Sequence, residues 1–258
     1  MDIRERLIKY NTRGLIAGPE ESEETFFIRC KSIQSTSPPL SFSLAKKMFD
    51  IDPDWISINY TNKKLRFWEG GCTWIEPNKV VLQLNKAFKE KETYLGLYTR
   101  DELIAHELVH VARLAFEEPI FEEILAYSTS PSHFRRFFGP FFRTSKGSRF
   151  LLIGFLACLG AAFFSFFVGV AYLCLFGLIG FNICRLLRAQ YIFSRTQKKL
   201  IQLVGAERAL PIMIRLTDRE IIRFSKKTKE QILAFAQKMS KNQLRWKQIY
   251  YAYFETPA

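Results

Sequence analysis

The residues with the most chemistry in the smallest space are His106, Glu107 and His110, in the run His106-Glu107-Leu108-Val109-His110. The chain has three histidines, and two of them stand here, four positions apart. On a helix that spacing sets both imidazoles on one face, from which a nitrogen of each can reach one metal ion. Glu107 lies beside them, offset by one residue, where it reaches a water rather than the ion. The set suits Zn2+, which lowers the pKa of a water from about 16 to about 7 and polarises a scissile carbonyl. Glu107 is then expected to take the proton as a general base and deliver it to the leaving amine as a general acid. The competing reading is a pair of satisfied core histidines on an amphipathic helix.

These side chains need a helix to carry them and a framework to hold it. Thr99-Arg100-Asp101-Glu102 has the form of a capping box, in which the threonine hydroxyl and the glutamate carboxylate satisfy orphan backbone N–H groups. Behind it Leu103, Ile104, Val109 and Leu114 keep a helical period to about Phe116. Pro119 suits the first position of a second helix, Ile120 to about Ser128, which Pro131 stops. Upstream, Trp55–Tyr60, Lys64–Trp68, Cys72–Ile75 and Lys79–Leu84 are short runs rich in β-branched and aromatic residues. Asn62-Lys63, Gly70-Gly71 and Pro77-Asn78 separate them as turn signals, so a small antiparallel sheet is predicted. The first fifty residues read as helices at Asp2–Tyr10, Pro19–Ile33 and Leu40–Phe49. The fold class is α+β.

Over Lys64 to Ser130, and specifically over His106 to Tyr127, the chain resembles the zincin metallopeptidases. Within them it is similar to the gluzincins, whose third zinc ligand is a glutamate on the following helix. The metzincin branch needs a glycine and a further histidine soon after the motif, where this chain has Arg113 and Phe116. The resemblance implies Glu123 as third ligand, with the small residue Ala126 three positions on. Glu122, followed at that distance by Leu125, is the second choice and His133 a further alternative. Glu117 and Glu118 lie in the turn, too near the motif. Tyr127 stands where the family often has an acidic residue, and reads as a buried tyrosine, with donation to an oxyanion as the other role. By the same analogy, Lys79–Leu84 is the strand that aligns an extended substrate beside the motif helix.

Phe150 to Cys184 is 35 consecutive residues without a charged side chain, which predicts a membrane segment. One helix of that length would be about 52 Å long against a hydrocarbon core of about 30 Å. Two helices of about 17 residues, turning near Ser165 to Gly169, match the thickness better; one long tilted helix is the alternative. Arg143, Lys146 and Arg149 precede the segment and Arg185 and Arg188 follow it, which favours both ends on the cytoplasmic side. Most of the net charge of +13 belongs to the region after the segment: Arg185–Ala258 has 16 basic and 5 acidic residues, a balance of +11. Beside a membrane span, such basicity points to anionic headgroups rather than to nucleic acid. Thr217–Glu220, Thr228–Gln231 and Ser240–Gln243 all fit the capping-box pattern and predict a small helical bundle. The five cysteines, Cys30, Cys72, Cys158, Cys174 and Cys184, are odd in number and have no CxxC spacing, as expected for a reducing compartment. The N-terminal residues have no apolar run of the signal-peptide kind.

Three regions result: a zincin-like domain at 1–148, a membrane segment at 149–187 and a basic helical region at 188–258. The expected function is a membrane-anchored zinc metallopeptidase acting on peptide bonds of a protein or peptide near the cytoplasmic face. The alternative is a non-catalytic membrane adaptor with a degenerate or structural metal site and a basic interaction tail.

Overall fold

In the computed structural model, residues 2–33, 42–67, 69–76, 79–141, 145–161 and 168–255 are described. Helices α1 (Ile3–Thr12), α2 (Glu23–Ser32) and α3 (Ser43–Phe49) lead into a sheet of β1 (Ser57–Tyr60), β2 (Gly71–Glu76) and β3 (Lys79–Leu84). Two short strands follow, β4 (Thr93–Tyr94) and β5 (Tyr98–Thr99). Then come the motif helix α4 (Arg100–Ala112), α5 (Pro119–Tyr127) and the short α6 (His133–Phe138). The apolar stretch forms α7 (Ser145–Ala161) and most of the first half of α8 (Val168–Val204). Four helices complete the chain: α9 (Ala206–Met213), α10 (Asp218–Phe224), α11 (Lys229–Ser240) and α12 (Leu244–Tyr253). The α+β class expected from the sequence is therefore present, with helices dominating.

The three-stranded sheet is mixed, not antiparallel. Its order is β1-β3-β2, with β1 parallel to β3 and β2 antiparallel to it. Since β1 and β2 flank β3 on opposite edges, the chain between them must cross the end of the sheet. That crossing uses up residues 64–67, expected as a strand: Lys64 turns at φ 66°. Lys79–Leu84 is thus the middle strand, paired with β2 along its length and with β1 over Val81–Leu84, so it offers no free edge to an extended substrate. The edge strand beside α4 is β2.

Two apolar cores meet at α4. Leu82, Leu84, Ala105, Leu108 and Val111 join α1 and α2 in one of them. Val109, Ala112 and Phe116 face the other, which gathers α5, the second half of α8 and all of α9–α12. Each residue advances about 100° around a helix, so the positions between these two faces are left for His106, Glu107 and His110. The sequence boundaries at 148 and 187 mark changes of texture; in space, the helices before and after the apolar segment share this second core.

Buried arginines tie the two halves together. Arg215, wholly buried, donates from Nε to Asn11 Oδ1 at 2.6 Å and from its other nitrogens to the carbonyls of Phe49 (2.9 Å) and Asn11 (3.1 Å). Tyr253 Oη receives Asn11 Nδ2 at 2.9 Å and donates to Asp50 Oδ2 at 2.8 Å. Arg113, at the end of α4, donates to the carbonyls of Ile214 (2.9 Å) and Leu216 (2.8 Å). Arg215 is tolerated in a core because its donors find oxygens that would otherwise also be unpaired. Arg113 is less fully matched, with no hydrogen-bond partner at Nε or Nη2 and Asp218 at 3.7 Å from Nη2.

Among the described residues one helix, Gly169–Val204, is long and apolar enough to cross a membrane by length and composition, with a mean hydropathy of 1.9 in its most apolar window. Only 6% of that window is buried, which separates it from the core helix of a soluble protein. Leu173 is 74% exposed and Phe176 67%. α7 packs along it in the opposite sense: Cys158 Sγ donates to the carbonyl of Ala171 at 3.0 Å, and Gly154 faces Leu175 and Leu178. Of the turn expected near Ser165 to Gly169, residues 165–167 lie outside the described residues, and Val168 and Gly169 already belong to α8.

Candidate metal centre

α4 starts where Thr99 Oγ1 accepts the N–H of Glu102 at 3.2 Å. The capping box predicted here is only half formed. The Glu102 carboxylate turns away to Arg135, with contacts of 2.8 and 3.0 Å, because an arginine fork offers a buried carboxylate two donors at once. One turn and a half further along, the two histidines project into the gap between α4 and α5.

Their Nε2 atoms are 3.4 Å apart. Two nitrogens each about 2.0–2.1 Å from a tetrahedral zinc ion stand about 3.3 Å from one another, so the pair already has the spacing of two ligands on one ion. Glu123 Oε1 lies 3.8 Å from His110 Nε2, and ligand atoms of His106, His110 and Glu123 are all within 4.8 Å of each other. The other ring nitrogen of His110 is occupied: Nδ1 is 2.6 Å from Glu122 Oε1. A partner of this type fixes the tautomer and leaves Nε2 free to ligate. The donor set of two imidazoles and a carboxylate fits a zinc ion.

Burial and neighbours set the charge states. Burial, and then the adjacent His110, push the pKa of His106 down to about 3, so its imidazole is neutral as a ligand must be. For His110, burial works downward but is outweighed by the hydrogen bond to Glu122 and the charges of Glu123 and Glu107, which raise it. Glu123 is raised by burial, partly offset by His110. A cation held at this point would keep the buried Glu123 carboxylate ionised and His110 neutral, as ligands must be.

Glu107 extends the other way, towards the sheet. Thr73 Oγ1, on the edge strand β2, donates to Glu107 Oε2 at 2.6 Å. Tyr127 stacks edge-on against His106 with centroids 4.8 Å apart, and burial raises its hydroxyl to about 12. Gly139 permits this packing, since any Cβ there would collide with the Tyr127 ring.

Of the sequence candidates, then, His106, His110 and Glu123 converge, Glu122 binds the outer nitrogen of His110, and Glu107 lies alongside. His133 is not among the converging groups; it opens α6, exposed, against Arg136. Glu117 is exposed in the turn at φ 52°, while Glu118 accepts the backbone N–H of Asp218.

Two contributors had no motif to mark them. Thr73 is 34 residues before Glu107 and reads as an ordinary strand threonine. Asp218 caps α5 from nearly a hundred residues away, its carboxylate accepting the N–H groups of Ile120 at 2.7 Å and Phe121 at 3.3 Å. Compared with protein-family models, with curated proteins and with solved structures, the chain matches none.

Proposed function

We propose that the chain is a membrane-anchored zinc metallopeptidase of the gluzincin kind that its motif resembles. The observation that carries this reading is the 3.4 Å approach of the two Nε2 atoms, with Glu123 completing the donor set and Glu107 free of it. His106, His110 and Glu123 would hold the ion, which supplies Lewis acidity to polarise a carbonyl and to acidify water. Glu107 accepts the proton of the attacking water and returns it to the leaving amine. Thr73 orients the Glu107 carboxylate for this exchange, and Glu122 locks the ring of His110. An extended peptide can pair with the outer edge of β2, which brings its backbone past Glu107 and the histidines.

The apolar parts of α7 and α8 form a membrane hairpin in this reading, with both ends on the cytoplasmic side as the flanking arginines and lysines favour. The protein purified in detergent is expected to contain about one zinc per chain by elemental analysis, absent from His110→Ala. A folded wild type that takes up no metal when zinc is offered would overturn the assignment. Glu107→Ala separates a peptidase from an adaptor with a structural ion: it retains zinc but loses cleavage of an unfolded substrate such as labelled casein.

A further inference from the structure

Around the first turn of α4, three neighbouring elements present large apolar side chains to solvent. The β4–β5 turn carries Leu95 and Leu97, 57% and 54% exposed. Leu95 is held at φ 52°, a left-handed conformation that is costly for a side chain of its bulk. Short α6 carries Phe134, 70% exposed, which packs 4.9 Å from Phe138. Phe67, at 78%, is held beside the turn, its carbonyl accepting Tyr94 Oη at 2.6 Å.

The elements that carry these side chains are neighbours. The Arg135 guanidinium stacks 4.9 Å from the Tyr98 ring while it pairs with Glu102 of α4, which fastens the β4–β5 turn to α6. Large apolar groups scattered singly are ordinary on a soluble protein, but a contiguous patch marks an interaction site.

Its position identifies the partner. α6 is bonded to α8 through Gln190 Nε2, which donates to the carbonyls of Arg136 and Phe137 at 3.2 Å each. Gln190 is six residues beyond Cys184, the end of the uncharged run, so it lies about 9 Å along the helix from it. That is the scale of the headgroup layer outside the hydrocarbon core. On α8 itself Tyr191 is 63% exposed at the same level. Aromatic rings mixed with arginines, here Arg135 and Arg136, are the composition suited to that layer.

We propose that the β4–β5 turn and α6 dip into the interface of an anionic phospholipid bilayer, a second membrane contact besides the apolar helices. This rests on the reading of α7–α8 as membrane-embedded. α6 continues into Gly139, against the Tyr127 ring that packs on His106, so the contact seats the metal centre at the bilayer surface. Read with the peptidase assignment, it selects peptide bonds a few residues outside a membrane span over those of freely soluble chains.

The test places tryptophan at exposed positions of the full chain in phosphatidylcholine–phosphatidylglycerol vesicles. It reads the emission added over the four native tryptophans, with and without brominated acyl chains. Leu97→Trp and Phe134→Trp should both lose their added emission in brominated lipid, while Ile28→Trp, 62% exposed on α2, should keep it. Leu173→Trp, in the apolar half of α8, reports the membrane reading separately. Quenching at Leu173 with none at Leu97 or Phe134 overturns the second contact and leaves the anchor standing. No quenching at Leu173 overturns both. Quenching at only one of Leu97 and Phe134 refutes a shared patch, and equal quenching at Ile28 refutes the orientation.

Discussion

Glu122 Oε1 lies 2.6 Å from His110 Nδ1, and the next residue, Glu123, reaches towards the opposite nitrogen of the same ring, 3.8 Å from Nε2. Two adjacent carboxylates thus face one imidazole from its two ends, one placed to orient it and the other placed to share the proposed zinc ion with it. Their substitutions should differ in kind. Glu122→Gln is expected to weaken zinc binding by about 10–100-fold with stoichiometry intact, the usual effect of losing a group behind a ligand. Glu123→Ala removes a ligand and should weaken it further. Competition with a chromophoric chelator measures both, and a larger loss for Glu122→Gln would exchange the two roles.

Thr73 makes a separate prediction about catalysis. Its hydroxyl is the one side-chain hydrogen bond described for Glu107, and it comes from the edge strand β2. A hydrogen bond to a charged group contributes roughly 1.5–3 kcal/mol, and its loss leaves the carboxylate free to rotate. Thr73→Val preserves the β-branched shape of the strand. Peptide cleavage should fall by about 10–100-fold, at about 1.4 kcal/mol per tenfold, with zinc content unchanged. Thr73→Ser should recover most of it. A Thr73→Val protein that cleaves at the wild-type rate would show that Glu107 needs no support from β2.

How much of this was legible beforehand follows from the range of each signal. Local signals served well: Thr99 caps α4, Pro119 starts α5, and the four-residue spacing of His106 and His110 sets both on one face of α4; Glu123, which the resemblance rather than the spacing implies, lies in the same cluster. Partnership between distant segments has no such signature. β3 was located to the residue, but alternation in one strand does not say which strands flank it, and so the parallel β1 and the edge role of β2 were missed. Thr99-Glu102 met the capping pattern, yet Arg135 drew the glutamate away. Ser240-Gln243 met it too, but α11 runs through Ser240, whose hydroxyl bonds back to Gln237, and Gln243 is the N-cap of α12. Thr217-Glu220 and Thr228-Gln231 form complete boxes. In the basic C-terminal region, Arg215 and Arg245 count as surface charge in a sequence, although both are buried and bind across the core.

Asp218 links that region to the metal centre. Its carboxylate caps the helix bearing Glu122 and Glu123 and lies 3.7 Å from the buried Arg113. Asp218→Ala removes the cap and also leaves Arg113 without its nearest carboxylate. Breaking a buried pair from one side typically costs about 3–5 kcal/mol. The expected result is a large fall in the thermal midpoint together with weaker zinc binding, while Asp218→Asn, which keeps one acceptor, should lose less of both. Zinc affinity unaltered in a destabilised Asp218→Ala protein would mean that α5 holds its position without this cap.

The buried Glu220–Arg245 pair sets a pH limit on the same core. Arg245 Nη1 and Nη2 reach Glu220 at 2.9 and 2.8 Å, and Trp246 Nε1 donates to it at 2.7 Å. Burial alone would raise this carboxyl, but the charge and hydrogen bonds of Arg245, with the Thr217 N–H and Trp246, hold it below its ordinary 4.5. A carboxyl lowered by folding stabilises the native state fully above its unfolded value, and that contribution disappears as the pH falls through the folded one. Stability should therefore decline as the pH is taken below about 4.5. Glu118 and Asp218 are both raised by burial and act in the opposite sense, so the informative quantity is the difference between wild type and Glu220→Gln. Glu220→Gln should be much less stable at neutral pH, since it leaves the Arg245 charge buried and unpaired. The gap between the two thermal midpoints should narrow as the medium is acidified. A gap that stays constant from neutral pH down to the acid limb would mean that Glu220 is not ionised in the folded protein.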